Sequence, residues 1–282
     1  MKLLINDANY DTTINEATKL TGDYHNDVIF HCYWNGELNE KHLISIRSCY
    51  YFNVDKKEKR QIILWLEDNN PNKFNEEIIK YAEIKKFDWK TERLDTFMYN
   101  HDIKYHKNKL PSYSNIIRSL LLYKYGGCWF DLDVLFLRSF DPLFNNFENE
   151  IMLYRWEKQN YPNNAIYISL IPKNEKFKKN MEFIIERDKG WGFQQAKLTF
   201  DLELDMLIMP CSWFDGAWIN NPYNLKFNDF FENTEKECTF ENFFPGAFCY
   251  HWHNKWNVDI KEKSAIRQLD SIINKNMMNI MM

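Results

Sequence analysis

Two carboxylates stand where charge is seldom tolerated. Asp131 and Asp133 interrupt the run Cys128-Trp129-Phe130-Asp131-Leu132-Asp133-Val134-Leu135-Phe136-Leu137, which is otherwise apolar throughout. In a strand, residues i and i+2 point the same way. The run therefore predicts both acids on one face and Phe130, Leu132 and Val134 on the other. Burying two like charges side by side is expensive unless a cation compensates them. Hard oxygen ligands at this spacing suit Mg²⁺ or Mn²⁺, ions that also accept phosphate oxygens. The chemistry implied is a divalent ion that holds a diphosphate. The plainer alternative is a strand that ends at Asp131, with both acids in a solvated turn. A second alternation of acids, Asp201-Leu202-Glu203-Leu204-Asp205, lacks the large apolar flanks and reads as the wet face of an amphipathic segment.

Elements of alternating type must position this pair. Just before it, Pro111-Ser112 opens a helix with serine at a cap-like position. Tyr113, Ile116, Ile117, Leu120, Leu121 and Tyr125 form its apolar stripe, and Gly126-Gly127 ends it. Further upstream, residues 27–34 are a buried strand closed by the turn-like Asn35-Gly36. Leu43, Ile46, Arg47 and Tyr50 predict a helix over 39–53. Residues 61–66 read as a second strand, 71–82 as a helix with Pro71 near its first turn, and 84–89 as a third strand. Residues 1–26 are polar and weakly periodic, a short arm laid on the surface. Strands alternating with helices predict an α/β fold, a mostly parallel sheet covered on both faces. In such sheets ligands bind beyond the carboxyl ends of the strands.

Composition narrows the partners. The chain has 282 residues, 45% hydrophobic and 27% charged, with Lys+Arg 36 against Asp+Glu 40 and a net charge of −4. That balance offers no basic footprint for nucleic acid or an anionic membrane. The aromatic load is high, with 22 Phe, 16 Tyr and 10 Trp, and stacked rings hold sugars and bases as well as filling cores. Six scattered cysteines without a C-x-x-C pair read as reduced, mostly buried thiols, which fits a cytoplasmic chain or the cytoplasm of a host. Met1-Lys2-Leu3-Leu4-Ile5 meets Asn6 and Asp7 too soon for a signal peptide, and no run approaches about 18 apolar residues. Any membrane contact is expected to be peripheral.

The block Ser114-Asn115-Ile116-Ile117-Arg118 through Tyr125-Gly126-Gly127 to Asp131-Leu132-Asp133 resembles a known family. It is similar to the D-x-D glycosyltransferases of the GT-A fold. These include fungal initiating mannosyltransferases, lactosylceramide galactosyltransferase and capsule-synthesis enzymes, and the glucosylating clostridial toxins share their core. Their pattern is an acid, two residues, an arginine, an apolar helix, a tyrosine and a glycine pair, an aromatic, then D-x-D. This chain matches it without a gap from Arg118 to Asp133. Residues 28–36 look like the family's opening strand, so the resemblance implies that Trp34 or Tyr33 stacks on the nucleotide base, uracil or guanine. The alternative is that Trp34 is simply core. Residues 247–256 look like the closing H-x-W-N-K element, with His253 where Trp usually stands. Carried over by position, His251 is a metal ligand, or His253 if the register slips by two. Asn163-Asn164-Ala165-Ile166 looks like the strand that faces the donor sugar. Asn115 departs from the family's acid, and Gly190-Trp191-Gly192 replaces an expected G-P pair.

The resemblance implies one GT-A (Rossmann-like) domain over 1–282, with a mixed, mostly parallel sheet and helices on both faces. Its nucleotide-sugar half would be 27–140, its acceptor half 141–258 and its C-terminal helix 259–282. The implied reaction is metal-dependent, retaining transfer of a hexose, in polysaccharide biosynthesis, from a nucleotide diphosphate sugar. A UDP-sugar is expected over a GDP-sugar, Mn²⁺ or Mg²⁺ as cofactor, and a glycan or lipid-linked glycan as acceptor. Asp131, Asp133 and His251 would hold the ion. Arg118 would face the donor or orient the acids, unless it is a structural ion pair beneath the site. Tyr33, Trp34, Asn115, Asn164 and Lys255 would complete the donor site. Trp213-Phe214-Asp215-Gly216-Ala217-Trp218 is either an acceptor rim or a core hairpin. Two other classes stay open. A noncatalytic glycan-binding relative has Asn115 in its favour. A Mg²⁺-dependent nucleotidyltransferase or phosphoesterase would need further acids, and the 201–205 trio would supply them.

Overall fold

A computed structural model describes residues 2–3, 9–55, 57, 59–67, 72–100, 110–156, 162–187, 204–219 and 225–280. Alternation along the strands builds the architecture. In β2 (Val28–Trp34), Phe30 and Cys32 enter one apolar core while Tyr33 enters another. In β3 (Arg60–Leu66), Ile62, Leu64 and Leu66 face the first core, and Ile63 and Trp65 the second. In β5 (Gly127–Phe130), Cys128 and Phe130 face the first core and Trp129 the second. Strands apolar on both faces need helices on both sides. α1 (Tyr10–Lys19), α2 (Glu40–Asn53) and α8 (Ala265–Ile280) supply one layer; α5 (Leu110–Tyr125) and α7 (Glu175–Arg187) supply the other.

The remaining strands are β1 (Lys2–Leu3), β4 (Glu83–Lys86), β6 (Val134–Phe136), β7 (Met152–Arg155), β8 (Pro162–Ser169), β9 (Leu207–Met209) and β10 (Cys249–His251). Short helices α3 (Lys73–Ile78), α4 (Trp89–Glu92) and α6 (Asp141–Phe147) complete the elements used below. Eight strands form one sheet in the order β1-β9-β7-β8-β5-β2-β3-β4. Only β8 runs against its neighbours β5 and β7; the other pairings are parallel. β6 and β10 form a separate antiparallel ribbon. Expectation and fold therefore agree on a mixed, mostly parallel α/β sheet with helices on both faces. Among the described residues no disulfide forms; five cysteines are buried and Cys238 is half-buried. No described helix is long and apolar enough to cross a membrane.

Several local expectations need correction. The ten-residue strand is in fact two. β5 stops at Phe130, Val134 N–H closes a turn on the Asp131 carbonyl at 3.2 Å, and β6 leaves for the ribbon. The acids thus sit in a turn rather than along one strand face, yet the turn is not solvated: Asp133 is only 4% exposed. The physical reason is the doubly covered sheet, whose interior offers no partner for a carboxylate. The arm at 1–26 instead contains α1, which buries Tyr10, Ile14 and Ala17, and Thr13's carbonyl takes the Trp213 indole N–H at 2.8 Å. The helix at 71–82 shrinks to α3, capped by Asn72; Pro71 lies outside the described residues. The third strand ends at Lys86 because Asp88 caps α4 at Trp89. α5 already begins at Leu110, so Ser112 lies inside its first turn and is not the cap. Gly190-Trp191-Gly192, Asp201 and Glu203 fall outside the described residues.

Candidate active site

β2 and β5 are parallel neighbours, so Trp34 and Asp131 emerge at the same end of the sheet. β8 is antiparallel to β5 and begins there, and the Asp131 N–H donates to the Ala165 carbonyl at 2.8 Å. The start of α5 and the segment after β10 close over this end. Between them lies a cavity of about 500 Å³, into which Tyr33, Trp34, Asn115, Arg118, Asn164 and both acids face, with His251 and His253 on its wall.

Each acid is held by its own set of donors. Asp131, half-buried, accepts the Trp129 indole N–H at 2.7 Å and an Arg118 Nη2 at 3.0 Å. Arg118 lies over the Trp129 ring at 5.0 Å and also donates to Asn164 Oδ1 at 2.7 Å. Asn164 in turn donates to Asn115 Oδ1 at 3.1 Å. The guanidinium therefore does not fork onto both acids; it links Asp131 to the asparagines of β8 and α5. Burial raises the Asp131 carboxyl above the usual carboxylate range, with Arg118 opposing and the Asp133 charge adding to the rise.

Asp133 belongs to the ribbon. β6 starts beside it, β10 pairs Val134 with His251, and the Trp252 N–H donates to the Asp133 carbonyl at 3.0 Å. That register brings His251 Nε2 to 3.1 Å from Asp133 Oδ2. His253 and Asn254 then adopt φ of 49° and 56°, a left-handed turn uncommon outside glycine, which returns the Asn254 N–H to Asp133 Oδ2 at 2.7 Å. Burial pushes the Asp133 carboxyl up, but His251 and the Asn254 N–H outweigh it and bring it down to about 2. Burial likewise pulls His251 down, while Asp133 and Asp215 outweigh it and hold the imidazolium up to about 10.

On the far side of His251, Nδ1 lies 2.9 Å from the Tyr154 hydroxyl and 3.6 Å from Asp215 Oδ2. The same Asp215 oxygen is 2.7 Å from His253 Nε2. Asp215, His251 and His253 are a group of described side chains whose donor atoms all lie within 4.8 Å of one another. Burial and the neighbouring His251 charge lower His253, against the pull of Asp215. The family resemblance implied both histidines near the acids but not Asp215 as their partner. Its only signal was a carboxylate inside the aromatic run 213–218. That run is no hairpin: Trp213 and Phe214 are core, and Asp215 sits between two 3₁₀ turns, Cys211–Trp213 and Gly216–Trp218.

The aromatic end of the cavity is built from β2 and the closing segment. Trp34, partly exposed, meets Trp256 with ring centroids 4.8 Å apart, and His42 stacks on Trp256 at 4.5 Å and 11°. Tyr33 is buried and its hydroxyl donates to Glu67 at 3.0 Å. Lys41, near the start of α2, donates to the carbonyls of Lys255 and Val258, with its ammonium 3.9 Å from the Phe231 ring centroid. Lys255 thus gives its carbonyl to Lys41 and does not line the cavity, contrary to expectation; its neighbours Asn254 and Trp256 do. Asp205 is exposed and pairs with Lys176 at 3.1 Å, so the second acidic run adds nothing to this site from its described part.

Residues 40–152 match the family model of the glycosyltransferase sugar-binding region containing the DXD motif. No curated protein matches the chain by sequence. Among solved structures it is similar to apo WbbM, a bifunctional glycosyltransferase, at TM-score 0.53 and 11% identity over 92% of this chain and 53% of that one. It is also similar to apo GlyE from Streptococcus pneumoniae TIGR4, at 0.52 and 9% over 91% of this chain and 64% of that one. An active-site mutant of LgtC matches at 0.51 and 10% over 88% and 96%. The chain thus spans about half the length of WbbM and under two thirds of GlyE. Such identities speak for the fold alone. Residues 40–152 thus carry the DXD sugar-binding region, and the chain as a whole shares the GT-A fold of these glycosyltransferases.

Proposed function

We propose that this chain is a GT-A glycosyltransferase that moves a hexose from a nucleotide diphosphate sugar, UDP-linked in preference to GDP-linked, to a hydroxyl of a glycan or lipid-linked glycan. The reading includes dependence on a divalent ion and retention of anomeric configuration, as the family resemblance implies. The observation that carries it is the convergence of Trp34, the Asp131/Asp133 turn and His251 on one cavity.

The donor set fits a cation. Asp133 Oδ2 and His251 Nε2 stand 3.1 Å apart, the separation of two ligands that share an ion. Asp133 and His251 would hold the ion, with Asp131 beside them. When bound, a divalent ion supplies charge neutralisation to a departing diphosphate. The chain's own residues do the rest. Trp34 offers a face to the nucleotide base, backed by Trp256 and His42. Arg118 fixes Asp131 and Asn164 relative to one another, so the carboxylate and the amide present a set geometry to ribose and sugar. Asn254 keeps Asp133 ionised and aimed. Asn115, tied to Asn164, gives the sugar hydroxyls a neutral partner where relatives carry an acid.

The test is donor turnover. UDP- and GDP-hexoses are incubated with the protein and Mn²⁺ or Mg²⁺, with and without chelator, and free nucleotide is measured. Nucleotide released from a UDP-hexose and abolished by chelator supports the reading. Release indifferent to chelator, or none with any donor, contradicts it.

A further inference from the structure

We propose that this chain carries a divalent transition-metal site built from Asp215, His251 and His253, which holds its ion before any nucleotide arrives. The proposal rests on the metal-dependent reading above and adds to it a site on the Nδ1 side of His251, where the Tyr154 hydroxyl now stands, opposite the Nε2 that faces Asp133. A D-x-D pair alone offers oxygens, and a second source of ligands comes with the diphosphate. Here the chain itself supplies two imidazoles of the cavity wall and, buried behind them, the Asp215 carboxylate.

Asp215 is 1% exposed, and one of its oxygens, Oδ1, is buried without a hydrogen-bond partner. Leaving such a group unsatisfied is costly in a folded protein. Its backbone is fixed on both sides: its N–H donates to the Cys211 carbonyl at 2.7 Å, and its carbonyl accepts the Trp218 N–H at 3.2 Å. Its other oxygen, Oδ2, reaches both imidazoles, at 2.7 Å from His253 and 3.6 Å from His251.

The contacts of His253 point the same way. Its Nε2 faces the Asp215 carboxylate and also the Trp218 indole N–H, which can only donate. A protonated Nε2 opposes the indole, and a bare one opposes the carboxylate. Neither state of the ring answers both. A cation seated against Asp215 and the bare Nε2, in place of the indole N–H, removes the conflict. Ion–ligand bonds of about 2.0–2.2 Å put donors roughly 3 to 4.4 Å apart, so small side-chain shifts close the set. Two nitrogens and one carboxylate with open positions select Mn²⁺, Fe²⁺, Co²⁺ or Zn²⁺ over Mg²⁺, which favours oxygen. The open positions are where water would add.

The experiment titrates Mn²⁺ and Co²⁺ separately into the full chain without nucleotide. Free Mn²⁺ is followed by paramagnetic resonance and bound Co²⁺ by visible absorption, with Mg²⁺ as competitor. His253→Ala and Asp215→Asn are compared with the parent, and circular dichroism checks their folding; if either melts early, His253→Gln and Asp215→Ser take their place. The expected result is one equivalent bound without nucleotide, undisturbed by excess Mg²⁺ and weakened at least about tenfold in each variant. Uptake of Mn²⁺ only after UDP is added, equal in parent and variants, overturns the site and leaves the transferase reading standing. No uptake even with UDP overturns both.

Discussion

At Asp133 three influences meet on one carboxylate: burial that penalises its charge, and a histidine and a backbone N–H that restore it. The net effect keeps Asp133 ionised wherever the protein is folded near neutrality. Asp133→Asn keeps the shape and removes the charge; it is expected to lower metal-dependent turnover by roughly 10²–10³-fold while circular dichroism is unchanged. Turnover near the parent's would remove Asp133 from the site. Trp34→Ala addresses the other end of the cavity. Loss of about 1–3 kcal/mol of base stacking should raise the KM for donor and leave kcat nearly unchanged, read by steady-state kinetics over donor concentration. The acids two apart were legible from spacing alone, while Arg118 and Trp34 were implied by the family resemblance. Asp215 was not, because its role arises from packing between segments distant along the chain, and nothing in 213–218 indicates what it will face.

At the scale of elements, the cavity depends on how closely β2, β5 and α5 approach. Gly126 and Gly127 make the change from helix to strand at φ of 67° and 107°, and a Cβ at Gly127 would lie 2.1 Å from the Ile29 carbonyl oxygen. Only glycine fits. Gly127→Ala is expected to cost at least about 1–3 kcal/mol through backbone strain and to push β5 from β2. Denaturant unfolding reads the first effect, and weakened donor binding, measured by calorimetry, the second. A variant with parent stability would contradict the contact. The alternation that marked β2, α2, β3 and α5 was readable because both faces of the sheet are covered. The break at Asp131 stood only as the alternative reading, since the run keeps its apolar character on both sides while the chain changes sheets. α1 was missed for a related reason: its mean character is polar, and only Tyr10, Ile14 and Ala17 make its buried stripe.

At the scale of the molecule, folding fixes the charge state of groups far from the cavity. His31 is fully buried, donates from Nε2 to the Gly126 carbonyl at 3.0 Å and accepts the Trp65 indole N–H on Nδ1 at 3.2 Å. Burial brings its pKa from 6.5 down to about 4, so the folded protein keeps the ring neutral. Between those values the unfolded chain binds the proton and the folded chain does not. This contribution to stability is therefore complete above pH 6.5 and is lost as pH falls towards 4, by about 1.4 kcal/mol per pH unit within that window. Denaturant unfolding across pH 7 to about 4 should show a shallower decline in His31→Gln, whose amide can serve both partners without titrating. Parallel declines in parent and variant would contradict it.

The proposed transfer depends on a cation that joins the Asp131–Asp133 turn and His251 to a nucleotide diphosphate. Crystals soaked with UDP and Mn²⁺, with diffraction recorded at the manganese absorption edge, locate that ion independently of any activity. An anomalous peak within bonding distance of Asp133 and His251, with the uracil against Trp34, is the result expected. A peak remote from both side chains, or UDP bound with its diphosphate turned away from the acids, would contradict it.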